Sequence, residues 1–222
     1  MDFAKSFSFV FNDPDWIKKV LLIALVSLIP VVGMLVLYGW ALQIAKKVIR
    51  KDSEPLLLPE LDFGAQLSLG FKYFVLNLVY MIPVFLIMIP LMIVTAGGDA
   101  AGMDSNTLST TAAILSCLCG GIAFLYVLAV ALAMPMATGL FLERESIGDG
   151  LKLRRVFELV RAALVPDILA VLGTAVASFI GSLGTILCVV GIVVTMVYAY
   201  AVMMHLYAQA YNQGTELAPA SV

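Results

Sequence analysis

Long uncharged stretches alternate with short charged ones along this chain. No Asp, Glu, Lys or Arg occurs between Lys19 and Lys46, Lys72 and Asp99, Asp104 and Glu143, or Asp167 and Glu216. A helix crossing about 30 Å of hydrocarbon needs roughly 20 apolar residues. The second and third stretches each hold a crossing, and the last has room for two crossings and a turn. The pattern therefore predicts spans over residues 71–96, 111–142, 163–182 and 185–212. Pro83, Pro90 and Pro135 fall inside these spans and predict local kinks.

The stretch 16–50 is too long for a single straight crossing: one helix over it would reach about 50 Å. Pro30 and Gly33 sit near its centre, and basic pairs flank both ends (Lys18-Lys19, then Lys46-Lys47 and Arg50-Lys51). Basic residues stay on the cytoplasmic side of a membrane, so matching basic ends predict a Pro-broken hairpin turning over Val31–Met34. The rival is one kinked crossing. The first arm is short, about 14 residues or roughly 21 Å, and needs lysine snorkelling or local thinning of the bilayer.

Phe3, Phe7, Val10 and Phe11 recur at helical spacing among Asp2, Lys5 and Ser6, which predicts an interfacial amphipathic segment over about residues 1–13. In Asp13-Pro14-Asp15-Trp16, Asp13 reads as a helix cap, Pro14 as a first helical residue and Trp16 as an interface anchor. Between Glu143 and Arg161, apolar Ile147, Leu151, Val156, Phe157 and Val160 approximate one face with basic residues around it, a second interfacial helix. Residues 213–222 are small and polar and read as a flexible tail. The expected fold is all-α: a single polytopic membrane domain, 1–222, of about six membrane-inserted segments, the hairpin plus four spans.

Composition supports this reading. Hydrophobic residues make up 62% of the chain and charged residues 13%, against roughly 45–50% and 25% in soluble domains. With the hairpin, all 13 Lys and Arg residues fall on one side, which places both termini in the cytoplasm and the chain in the cell membrane. No basic tract with interleaved aromatics points to nucleic acid. Cys117, Cys119 and Cys188 lie in apolar segments, form no C-x-x-C pair and have only His205 for company. Neither a metal site nor a cofactor is expected. Enzyme templates also fail: there is no phosphate-binding glycine loop, no H-E-x-x-H and no serine nucleophile pattern with a histidine.

The remaining candidates are residues for packing and binding. Gly173, Ala177 and Gly181 form a small-residue ridge that lets two helices approach closely. Asn77, His205 and Gln209 are polar groups inside spans, expected to bond between helices or reach an interface. A proton relay through His205 lacks an intramembrane carboxylate partner, and a solute-lining role for Asn77 is the alternative. Arg154, Arg155 and Arg161 could contact anionic lipid or an acidic partner.

The run Phe11-Asn12-Asp13-Pro14-Asp15-Trp16-Ile17-Lys18-Lys19 resembles the opening of a bacterial and archaeal membrane family known as domain of unknown function 4013. The resemblance continues through Ile29-Pro30-Val31-Val32-Gly33, Tyr38-Gly39-Trp40, Leu58-Pro59-Glu60 and Leu69-Gly70-Phe71-Lys72. It is looser over Glu143–Leu151 and Gly191–Gln209. The resemblance implies a prokaryotic membrane protein and supplies no catalytic residues. The leading expectation is a non-enzymatic scaffold or accessory subunit that engages membrane lipids, other membrane proteins or further copies of itself. A small-solute transporter or channel component is the runner-up, and a membrane-embedded enzyme comes third.

Overall fold

The computed structural model describes residues 2–51, 56–98, 102 and 104–218, with backbone alone over 186–190. The helices are α1 (Phe3–Ser8), α2 (Trp16–Ser27), α3 (Val32–Ile49), α4 (Phe63–Gly97), α5 (Ser105–Arg144), α6 (Ile147–Gly150), α7 (Leu153–Ala162), α8 (Leu164–Leu183) and α9 (Cys188–Leu217). Short 3-10 turns cover Phe9–Asn12 and Gly184–Leu187, and no strand occurs among the described residues. Of these helices α3, α4, α5 and α8, with Gly191–Leu217 of α9, are long and apolar enough to cross a membrane. The sixth segment, α2, has 12 residues and reaches only about 18 Å.

Two compact units are present: Met1–Leu76 with Leu132–Val222, and Asn77–Ala131. The second unit consists of the later part of α4 and the earlier part of α5. Tyr126 donates from its hydroxyl to the Tyr80 carbonyl at 2.9 Å, pinning the two helices. Asp104 caps α5, accepting from the N–H groups of Asn106 (3.1 Å) and Thr107 (3.0 Å). Phe85, Leu86, Met92 and Ile93 on α4, and Leu118, Phe124 and Leu125 on α5, are exposed. So broad an apolar surface matches hydrocarbon as the solvent. Pro83 and Pro90 lie inside α4 and Pro135 inside α5, and both helices continue past them.

The first unit is built around α9, which touches α1, α2, α3, α7 and α8. Val197, Ala201, Val202, Met204, Leu206, Ala208, Ala210 and Tyr211 are all buried, as befits a helix that is apolar on every side and surrounded by others. Against α3, helix α4 crosses at backbone distance. A Cβ at Gly39 would fall on the backbone of Gln66, and one at Gly70 on the Leu35 carbonyl.

The hairpin forms. Lys19, near the start of α2, donates to the Leu58 carbonyl at 3.0 Å, and Lys47, near the end of α3, donates to the Leu57 carbonyl at 3.0 Å. The two helices therefore run antiparallel, with their basic ends together. The turn lies slightly earlier than expected: Val32 already opens α3, and Val31 is the apex with φ 65° and ψ −60°. The Val32 N–H donates to the Pro30 carbonyl at 2.7 Å. That makes a γ-turn of the rare positive-φ kind, which reverses the chain in three residues.

Three sequence expectations are corrected. The N-terminal segment does not present Phe3, Phe7, Val10 and Phe11 together as one buried face. It folds back on α9, burying Ser6, Phe9 and Val10 while Phe11 stays exposed, because Ser6 finds a hydrogen-bond partner inside. The charged segment Ile147–Arg161 is not one helix but α6 and α7, broken at Leu151-Lys152. Its buried face is Val156, Leu159 and Ala163, with Leu153 and Phe157 turned outward. The tail is helical as far as Leu217. Gly214 packs beside Met136 and Ala163, and Glu216 pairs with Lys51 at 2.9 Å. Residues 219–222 of that tail, and Asp52–Pro55 of the polar loop, lie outside the described residues.

Candidate functional site

The ridge on α8 is interior. Gly173, Ala177 and Gly181 are buried. A Cβ at Gly173 would come within 2.7 Å of Leu206 and 2.9 Å of Phe3, and one at Gly181 within 3.2 Å of the Ala199 Cβ. The ridge therefore faces α9, and near its start also accepts the N-terminal segment. Asn77 is half-buried on α4 at the start of the second unit. Of the cysteines, Cys117 is exposed and Cys119 buried, and the Cys188 side chain is outside those described.

His205 and Gln209 are brought together under the N-terminal segment. His205 is buried, with Nδ1 2.9 Å from the Ser6 hydroxyl and 3.2 Å from Gln209 Nε2, and Phe9 stacks on its ring at 4.5 Å. Gln209 Oε1 accepts from the Asp2 N–H at 2.8 Å, and the Tyr198 hydroxyl donates to the Phe7 carbonyl at 2.7 Å. Each polar group of this cluster meets another, which offsets its desolvation. The arrangement latches α1 to α9.

A second cluster secures the segment before α4. Asp13 is buried and accepts from Lys19 Nζ (2.7 Å) and from the N–H groups of Leu58 and Asp15 (2.8 Å each). Burial pushes the Asp13 carboxyl up, but the bonds from Lys19, Asp15 and Leu58 outweigh it and hold the group below its ordinary value. Trp40 Nε1 donates to the Pro59 carbonyl at 2.9 Å, and Gln66 Nε2 donates to the Glu60 carbonyl at 2.7 Å and to Gln43 Oε1 at 3.1 Å. Side chains that the sequence scatters over some fifty positions thus clamp one stretch of irregular backbone, a structural task.

A strongly charged concavity lies at the end where α3 finishes and α9 runs out. Glu143, Arg144, Asp149, Lys152, Arg155 and Tyr211, with Leu140 and Thr215, line a crevice of about 390 Å³. Tyr211 donates to Glu143 at 2.5 Å, and Lys152 pairs with Asp149. The Lys152 ammonium holds the Asp149 carboxyl below its usual value, and a Lys46 hydrogen bond does the same for Glu145. Glu145 stands beside the crevice at φ 53°, the left-handed turn that redirects the chain from α5 into α6. Asn212 Nδ2 donates to the Val48 carbonyl at 3.0 Å, tying α9 to the basic end of α3.

Of the arginines singled out in the sequence, Arg155 lines this crevice and bonds Glu158 at 3.3 Å. Arg154 also bonds Glu158, at 3.2 Å, from an almost fully exposed position, 95%. Arg161 lies 5.6 Å above the Phe157 ring. Such exposed pairs add little stability, so these guanidinium groups stay open to other anions.

Sequence reasoning missed Arg144 and Lys152 as partners of Arg155, because α5, α6 and α7 bring them together only in three dimensions. It also missed Asp167, which corrects the expectation that no carboxylate lies within a span. Asp167 sits in the first turn of α8, is 0% exposed, and neither carboxyl oxygen meets a hydrogen-bond partner among the described residues. The signal was legible: it is the sole Asp, Glu, Lys or Arg between Arg161 and Glu216.

No curated protein and no solved structure matches the chain. A family model described as a protein of unknown function, DUF4013, matches residues 22–190. That stretch takes in most of the hairpin, the α3–α4 crossing and the crevice residues from α5 to α7, and the chain belongs to this family.

Proposed function

We propose that this protein is a non-catalytic component of the cell membrane of a bacterium or archaeon, a scaffold or accessory subunit that holds anionic lipid headgroups at its basic end. The observation that carries the reading is the convergence of Arg144, Lys152 and Arg155 on one crevice. Beside it, α7 turns Leu153 and Phe157 outward. Guanidinium forks suit phosphate oxygens, and apolar side chains beside them suit the acyl region just below a headgroup. The same end carries Lys19, Lys46, Lys47 and Lys51, and the positive-inside rule then puts it, with both termini, in the cytoplasm. The non-enzymatic part of the reading is supported by the absence of hydrolase and phosphoryl-transfer motifs in the sequence.

The test is lipid retention. Protein purified in mild detergent should keep phosphatidylglycerol in preference to phosphatidylcholine when exchanged into a mixture of the two. The triple change Arg144→Gln, Lys152→Gln, Arg155→Gln should reduce that preference on the order of a hundredfold, matching the loss of roughly 1 kcal/mol per basic residue near a charged surface. Equal retention by both proteins would dismiss the reading. A transporter or channel component is the second reading, and Asp167 favours it, since an ionisable group inside a span marks a functional site by default. Solute-dependent thermal stabilisation of the isolated protein tests it.

A further inference from the structure

We infer that the charged crevice selects a membrane lipid whose headgroup is a singly charged phosphodiester bearing free hydroxyls, with Arg144 and Arg155 seating the phosphate and Glu143 reading the hydroxyls. The inference rests on the anionic-lipid reading and deepens it by naming the headgroup chemistry.

The charge of the lining sets the charge of the ligand. Three cations, Arg144, Lys152 and Arg155, line the crevice with two carboxylates, Glu143 and Asp149, which leaves one positive charge over. The acidic residues just outside have cations of their own. Glu145 pairs with Lys46, and Glu158 pairs with Arg154 as well as Arg155. One phosphodiester, with its single negative charge, balances the surplus. A phosphomonoester carries about −1.5 to −2 at pH 7 and overshoots it beside two carboxylates. A zwitterionic headgroup leaves the surplus unbalanced.

Hydrogen bonding assigns the parts. Lys152 is committed to Asp149. Arg155 spends one guanidinium nitrogen on Glu158, and Arg144 makes no ion pair among the described residues. Their remaining forked donors suit phosphate oxygens. Glu143, next to Arg144 in the chain, accepts from the Tyr211 hydroxyl through Oε1 at 2.5 Å. An ionised carboxylate accepts only and has room for about four hydrogen bonds, so Glu143 both takes hydroxyl donors and repels a second negative charge. Its orientation is built in. The Tyr211 ring is buried, and a Cβ at Gly139 would come within 2.0 Å of it. The ring therefore lies against bare backbone of α5, one turn before Glu143, and holds its hydroxyl on the carboxylate. Leu153 and Phe157, turned outward on α7, suit the acyl chains of a lipid rather than a soluble phosphodiester.

The experiment exchanges the full chain, in mild detergent, into a mixture of phosphatidylglycerol, phosphatidic acid and phosphatidylcholine at about pH 7.5, where phosphatidic acid is close to doubly charged. Retained lipid is measured by mass spectrometry. The wild type should keep phosphatidylglycerol over phosphatidic acid roughly fivefold, the scale of one hydrogen bond to a charged group in a solvent-open site. Glu143→Gln leaves one carboxylate against three cations. It should reverse that order in favour of phosphatidic acid while still keeping phosphatidylglycerol over phosphatidylcholine. Should Glu143→Gln fail to fold, Tyr211→Phe decides. It keeps the ring, removes only the orienting hydroxyl, and should cut the phosphatidylglycerol-to-phosphatidic acid ratio about twofold or more. Equal retention of the two anionic lipids by the wild type overturns the inference, as does an unchanged ratio in Glu143→Gln; either result leaves the anionic-lipid reading standing. Equal retention of all three lipids overturns both. Soluble glycerophosphoglycerol, with the same headgroup and no acyl chains, should displace phosphatidylglycerol only weakly. Full displacement at equal concentration would make a soluble phosphodiester the ligand and overturn the membrane source.

Discussion

The carboxylate of Asp13 accepts a 2.8 Å hydrogen bond from the backbone N–H of Leu58, joining the turn before α2 to the segment before α4. Lys19 closes the arrangement by reaching both Asp13 Oδ2 and the Leu58 carbonyl. Removing the carboxylate strands a part-buried ammonium and a buried N–H. Asp13→Ala should therefore cost about 2–4 kcal/mol and Asp13→Asn somewhat less. The pH dependence has a definite sign. The folded-state carboxyl is held below 3.8, so its contribution is complete above that value and is lost as pH falls through the lower folded-state value. Detergent melting curves on acidification below about pH 4 should show a steeper fall for the wild type than for Asp13→Asn. Parallel curves would mean that the clamp is not electrostatic.

Val31 should be a site of relievable strain. It is a β-branched residue at φ 65°, and its side chain is 73% exposed. Left-handed backbone costs an L residue about 1–2 kcal/mol, and glycine avoids that cost. Val31→Gly should therefore stabilise the protein by about 1 kcal/mol, read as a higher melting point. Val31→Pro, which cannot reach positive φ, should destabilise it.

Glycines in this chain should divide sharply by location. Gly39→Ala and Gly70→Ala force a methyl onto the backbone of the facing helix and should cost about 3 kcal/mol or more. Gly120 has open space around its Cβ position, so Gly120→Ala should be neutral or gain up to about 1 kcal/mol from helix propensity. On α8, Gly181→Leu should lower the melting point, whereas Leu183→Ala, at an exposed position, should change it little. Equal tolerance at Gly39 and Gly120 would mean that α3 and α4 do not cross where described.

Membrane sidedness is testable with an impermeant thiol reagent in a background lacking Cys117, Cys119 and Cys188. Cysteines at Lys18, Glu60 and Asn106 occupy exposed positions. In intact cells only the Asn106 position should label, and opened vesicles should reveal the other two. Labelling at Lys18 from outside, with protection at Glu60, would replace the hairpin by a single crossing and reject the shared basic end.

Much of this architecture could be read from the chain before folding, and the reason is local. A segment's fitness for hydrocarbon depends on its own composition, so the uncharged stretches ending at Lys46, Asp99, Glu143 and Glu216 located the long helices. Pro30 between two basic pairs likewise announced the hairpin, because a proline break and charged ends act where they stand. What the sequence could not supply was the face each helix turns inward. A span apolar on every side carries no stripe to mark its buried surface, and lipid does not favour one face over another. Ser6 under His205, Asp13 against Leu58, and Arg144 with Lys152 and Arg155 all depend on that choice. Only tertiary packing makes it, through close approach at Gly39, Gly70 and Gly173 and through the need of each buried polar group for a partner.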